Sequence, residues 1–172
     1  KLFAQLCDHL AGLAIDFLAA QVSAGAQVVQ LFDSWAGQLS VADYQRFALP
    51  STKRVLAAVA AMGVPSILFG VGCTEHLPAM ATAGASVVGV DWRIPLSEAR
   101  RRLGPGIGVQ GNLDPTLVLA GADVALEATD AILADAAGTP GHVFNLGHGV
   151  LPETNPDVLA EVVRRVHEGG AS

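Results

Sequence analysis

The chain has only two cysteines, Cys7 and Cys73, and no Cys-x-x-Cys pair. That count excludes a disulfide framework and a zinc site of the usual spacing, and it points to a reducing compartment. Aromatic residues are scarce at 5%, and charged residues reach only 15%. Ten Lys and Arg face sixteen Asp and Glu, for a formal net charge of -6, and the basic residues cluster only at Arg100-Arg101-Arg102. A nucleic-acid partner is not expected, because phosphate binding needs a basic face. No apolar run approaches the roughly 20 residues needed to cross a bilayer, and the N-terminus lacks the pattern of a signal peptide. The expectation is a cytoplasmic protein with no membrane partner. The phosphate-binding pattern Gly-x-Gly-x-x-Gly is missing too: Gly70-Val71-Gly72-Cys73 comes nearest and lacks the third glycine.

What is abundant is apolar sequence, at 51% of 172 residues, enough for one domain with one core. Helical and strand patterns alternate along it. A first helix runs to about Val22 and stops at Gly25. It starts in register at once, with Leu2, Leu6, Leu10, Leu13 and Phe17, so the chain reads as cut from something longer. Strands are expected at 27–32, 65–70, 86–90, 107–111 and 142–145. Ser40-Val41-Ala42-Asp43 has the form of a capping box, and the helix it opens is expected to be interrupted at Pro50 before continuing to Gly63. Further helices are expected at 74–83, from Pro95 to Gly104, at 123–137, and after Asn155-Pro156.

Five strands, apolar on both faces and separated by helices, imply a parallel sheet covered by helices. Two architectures satisfy that pattern. One is an open doubly wound sheet, and the other is a partial (β/α)8 TIM barrel of about five βα units, since a complete barrel needs about 250 residues. Both gather ligands at the carboxyl ends of the strands. There the chain places Asp33-Ser34-Trp35, Asp91-Trp92-Arg93, Asn112-Leu113-Asp114 and Asn145-Leu146-Gly147-His148. Asp91 and Asp114 read equally well as helix caps. Trp35 and Trp92 read first as packing residues. His9, His76 and His167 fall on helices as structural or solvated groups, and Cys73 reads as a core thiol. Ser34 lacks the Gly-x-Ser-x-Gly context of a nucleophile. His148 differs, because Gly147 and Gly149 strip the backbone around it, leaving room for a ligand and for unusual dihedrals.

Four segments carry a resemblance: QLFDSWAG at 30–37, GVDW at 89–92, VQGNLDP at 109–115 and FNLGHG at 144–149. In order and approximate spacing they are similar to motifs of the uroporphyrinogen decarboxylase family, in the C-terminal half of its single (β/α)8 barrel. By that resemblance residues 1–172 are the C-terminal portion of one barrel domain, with the N-terminal portion absent.

The resemblance implies removal of CO2 from the four acetate side chains of uroporphyrinogen III, giving coproporphyrinogen III for haem, with neither metal nor cofactor and usually as a homodimer. It gives Ser34 and His148 as substrate-binding residues and Trp35, Asp91, Asn112 and Asn145 as cleft lining. No catalytic residue is assigned within the chain, because the family's arginine segment, aspartate and tyrosine belong to the other half. The fragment alone is therefore expected to be inactive.

Corrinoid-linked methyltransferases of the same fold are an alternative. They need a His-x-Cys zinc pair, and Phe69-Gly70-Val71 stands near its place. A noncatalytic assembly or binding domain is the other alternative.

Overall fold

A computed structural model describes residues 2–169. Helix α1 (Leu2–Ser23) is followed by strand β1 (Val29–Asp33), then by α2 (Val41–Asp43) and α3 (Leu49–Ala61). Strand β2 (Ser66–Gly70), α4 (Leu77–Met80), β3 (Val87–Gly89), α5 (Leu96–Leu103) and β4 (Gly108–Leu113) come next. The chain continues through α6 (Pro115–Leu119) and α7 (Ala122–Ala136) to β5 (His142–Leu146) and α8 (Pro156–Gly169). All five strands pair in parallel, in the strict order β1-β2-β3-β4-β5.

That order decides between the two architectures. A doubly wound sheet reverses its strand order at a switch point so that helices cover both faces. A sequential order with right-handed crossovers puts every helix on one face and leaves the other concave, as in a segment of a (β/α)8 barrel.

The core lies between the sheet's convex face and the helices. Val88, Val90 and Val109 pack with Leu56, Leu77, Leu96, Ala99 and Leu103. Val29 packs with Ala11, Leu18, Val55 and Val59, and Leu113 packs with Val118, Ala125, Val158 and Val162.

The opposite, concave face is not apolar throughout, contrary to what the strand sequences suggest. It carries Gln30 and Phe32 from β1, Phe69 from β2, Gln110 from β4, and Val143 and Asn145 from β5, which alternate with helix-facing neighbours.

Three local expectations are corrected. The helix does not break at Pro50. A π-helical turn at Tyr44–Ala48 joins α2 to α3, and Pro50 sits in the first turn of α3, where its missing N–H costs little; the wider turn makes room for its ring. The helix expected at 74–83 shrinks to a 3-10 turn at Thr74–His76 and the four residues of α4.

The third correction concerns α1, whose length and composition suffice to cross a membrane, with a mean hydropathy of 1.4 over an 18-residue window. Asp8 and Asp16 break any uninterrupted apolar run there without bringing the average down. In the fold, α1 docks on α3 through Ala11 and Leu18, and Asp8 pairs with Arg54. The stripe Leu2, Leu6, Leu10, Leu13 and Phe17 points away from the core, each residue at least half exposed.

Caps fix the helix starts that border the rim. The Ser40 hydroxyl accepts the Asp43 N–H and donates to its carboxylate. Asp114 accepts from the Thr116 N–H at 2.8 Å, so it serves as the cap of α6.

Candidate functional site

The carboxyl ends of the five strands form one rim, and its rigid centre is Asp91. The Asp91 side chain is 2% exposed, and its carboxylate accepts three bonds. These come from the Gly72 N–H at 2.6 Å, the Arg93 N–H at 3.0 Å and the Arg93 guanidinium at 2.9 Å. The loop after β2 is thereby tied to the loop after β3. Arg93 is further held with its guanidinium 4.1 Å over the Trp92 ring.

Asn112 continues the linkage. Its buried amide donates to the carbonyls of Asp91 and Ile94 at 2.9 and 2.7 Å, so its N–H groups are committed to backbone. The loop after β5 closes against the same place: a Cβ on Gly147 would lie 2.6 Å from the Trp92 nitrogen, which only glycine avoids. Gly147 therefore serves close packing. Neither it nor Gly149 adopts a positive φ, so the unusual dihedrals expected around His148 are not realised.

His148 stands exposed at the end of β5 with its ring edge-on to Phe32, the centroids 6.2 Å apart. Phe32 stacks in turn on Phe69 at 4.7 Å. Phe69 fits because β3 has Gly89 beside it, where a Cβ would come within 2.6 Å of the ring. These residues wall a cavity of about 190 Å³, completed by Gln30, Gln110, Asn145, Leu146 and Gly149.

Of the residues singled out in the sequence, His148 and Asn145 thus share one cavity, while Asp91 and Asn112 form its neighbouring scaffold. Ser34 lies exposed just past the end of β1, two residues beyond Phe32. Trp35 is not a packing residue, being 76% exposed. Trp92 does pack, under Arg93 and beside Gly147.

Gln30, Phe32 and Gln110 lie within the family-like segments, but neither they nor Phe69 are singled out there as site residues. Period-2 alternation in Gln30-Leu31-Phe32 is the available signal, since residues two apart share a face.

Two titratable groups lie beneath the rim. Burial pushes the Cys73 thiol up to about 12, helped by the charges of Asp33 and Asp91, so it behaves as a plain core thiol. Burial likewise raises Tyr44, whose ring meets His76 edge-on at 5.0 Å. His76 is 4% exposed, with Nε2 3.1 Å from the Leu39 carbonyl. Among the described residues no three His, Cys, Asp or Glu side chains converge as a metal-binding group.

Comparison with known proteins agrees with the rim motifs. The family model for uroporphyrinogen decarboxylase matches residues 1–169. The chain belongs to the uroporphyrinogen decarboxylase family. It is 55% identical over 167 residues to the uroporphyrinogen decarboxylase of Streptomyces coelicolor, covering 97% of this chain and 47% of that protein. It is 56% identical over 169 residues to that of Frankia casuarinae, covering 98% of this chain and 46% of that protein. The chain thus spans about half the length of the curated relatives it matches.

Among solved structures, a methyltransferase from Methanosarcina mazei superposes with a TM-score of 0.81 at 20% identity, over 94% of this chain and 48% of that one. Dihydropteroate synthase from Thermus thermophilus gives 0.56, also at 20% identity, over 91% of this chain and 62% of that one. At that identity the two establish the shared fold alone.

Proposed function

We propose that residues 1–172 form the C-terminal portion of a uroporphyrinogen decarboxylase barrel and supply part of the site that converts uroporphyrinogen III to coproporphyrinogen III. The observation that carries this reading is the meeting of His148 with Phe32 at the mouth of a cavity built from three of the family-like segments.

The chemistry asks for little beyond placement. Protonation of a pyrrole ring carbon makes the ring an electron sink. The bond to the acetate carboxylate then breaks, its electron pair passes into the ring, and CO2 leaves. A proton adds to the exocyclic carbon as the ring carbon loses its own, so each round exchanges one CO2 for one proton. Metal and cofactor are not needed for that sequence. The protein contributes orientation and a field that favours the cationic ring.

In this reading the Ser34 hydroxyl and the His148 ring hold substrate carboxylates, a histidine being able to donate a hydrogen bond in either protonation state. Trp35 and Asn145 line the cleft, while Asp91 and Asn112 keep the loops in place. Uroporphyrin, the oxidised and unreactive form of the substrate, provides the test. In fluorescence titrations of the chain, His148→Ala and Ser34→Ala are each expected to weaken binding about tenfold, the worth of a hydrogen bond to a charged group. Both residues are exposed, so the fold should survive the changes. Unaltered affinity in both variants would overturn these assignments.

The reading also places the chain in the cytoplasm and in self-association. What supports association is the apolar surface left outside the core: the α1 stripe, Phe32 at 47% exposure and Val143 at 44%, together with the free edges of β1 and β5. Light scattering at micromolar concentration is expected to give at least a dimer; a stable monomer would contradict it.

A further inference from the structure

We infer that the contact between Gly37 and Gly72 is what places Ser34, with Asp91 as the positioning residue behind it. The inference rests on the decarboxylase reading and deepens it. Ser34 is exposed, and among the described residues nothing bonds its hydroxyl, so backbone alone sets its direction. Upstream, that backbone is fixed by β1, where Asp33 pairs with Gly70. Downstream it enters a 3-10 turn at Ala36–Gln38, in which the Gln38 and Leu39 N–H groups donate to the carbonyls of Trp35 and Ala36.

Gly37 is the middle of that turn and lies directly on the loop after β2. A Cβ at Gly37 would overlap the Val71 carbonyl oxygen and come within 2.8 Å of the Gly72 carbonyl, so only glycine lets the two backbones touch. Gly72 is held from its other side. Its N–H donates to the Asp91 carboxylate at 2.6 Å, from a left-handed conformation with φ of +68° that favours glycine. The far end of the Ser34 turn is pinned as well, by the buried His76, whose Nε2 lies 3.1 Å from the Leu39 carbonyl. Ser34 therefore stands on stacked loops whose base is a buried carboxylate.

The chemistry of a serine makes such support matter. It offers one donor on a short side chain and cannot reach after a displaced carboxylate as a lysine or arginine can. A backbone shift on the order of 1 Å, which a side chain at Gly37 would force, carries an O–H···O bond out of range. Asp91 accepts three bonds within the fold and does not line the cavity under His148, so its influence on this part of the cleft passes through Gly72 and Gly37.

The test uses uroporphyrin titrations of the 172-residue chain carrying Gly37→Ala, alone and combined with Ser34→Ala or His148→Ala. Gly37→Ala alone is expected to weaken binding about tenfold, as Ser34→Ala does, one hydrogen bond to a charged group being lost in each. The pair Gly37→Ala with Ser34→Ala should bind within about twofold of either single variant. Adding His148→Ala to Gly37→Ala should weaken binding about tenfold more, because independent sites add and coupled ones do not. Losses that add equally with both partners would mean general loosening of the fold and overturn the inference, as would unaltered affinity in Gly37→Ala.

Hydrogen exchange reads the same link without porphyrin, and it decides the matter even if Gly37→Ala folds poorly. In Asp91→Asn, whose bond to the Gly72 N–H lacks the charge, the Gln38 and Leu39 amides are expected to exchange faster together with that of Gly72, by at least about threefold. Faster exchange at Gly72 alone would overturn the inference and leave the serine's assignment standing. Unaltered uroporphyrin affinity in Ser34→Ala, with the three amides still moving together, would instead overturn that assignment, and with it what the contact is for.

Discussion

Replacing Asp91 with alanine is expected to destabilise the chain by about 3 kcal/mol, the cost of stranding buried partners of a charged group. The carboxylate accepts from two backbone N–H groups and one guanidinium, and its side chain is 2% exposed. Alanine leaves the Gly72 N–H facing a void, while the Arg93 guanidinium, 48% exposed, regains water and recovers part of its loss. That partial recovery keeps the expected cost at the lower end for a broken buried pair.

Asp91→Asn retains an acceptor and should cost roughly half as much. Urea unfolding followed by circular dichroism measures both. A chain of this size shifts by about 2–4 °C per kcal/mol, so the alanine variant should melt on the order of 10 °C lower. A cost under about 1 kcal/mol for alanine, no more than an ordinary neutral hydrogen bond, would mean that the loops after β2 and β3 are held by something else. Because Trp92 packs against Gly147, the same variant should also loosen the segment that carries His148.

The alternation of elements is readable from Ser40, Pro95 and Asn155 at helix starts and from short β-branched runs between them. Strand order is not, because both architectures share that alternation, and only pairing in three dimensions tells a sequential sheet from a reversed one. The helix across Pro50 defies the sequence expectation because proline rules describe an α-helix, and here a π turn precedes it. His148 stands out through its flanking glycines, although Gly147 matters for packing against Trp92 rather than for backbone freedom.

Asp91 is visible as a candidate, but its work as a tie between loops depends on Gly72, nineteen residues away. Gln30 and Gln110 lie in the family-like segments, but their meeting is not legible there, since their eighty-residue separation closes only when β1 and β4 curve toward each other. Trp35 is misleading because aromatic residues are usually buried, and at a rim that bias fails.

The largest expected effect concerns turnover. Uroporphyrinogen III carries eight carboxylates, and a chain of net charge -6 meets them with few cations at the rim. Of the described Lys and Arg, Arg93 stands just past β3 at the strand ends, and it already pairs with Asp91. Arg100, Arg101, Arg102 and Arg165 lie on α5 and α8, where they bond to Glu98, Glu75, Asp130 and loop carbonyls. In the decarboxylase reading proposed above, these residues do not form the clamp that positions an octa-anion or the groups that stabilise a protonated pyrrole. Loss of one preorganised electrostatic group commonly costs about 10²–10³ in rate, so lacking several should lower turnover by at least about a thousandfold.

The most direct measurement is decarboxylation of uroporphyrinogen III by the purified 172-residue chain, alone and mixed with the N-terminal half of a full-length relative such as the Streptomyces coelicolor enzyme. The expected result is no useful turnover alone and measurable coproporphyrinogen formation when the halves are combined. Turnover by the chain alone near that of the full-length relative would contradict the half-barrel reading, and so would continued inactivity of a stable complex of the two halves.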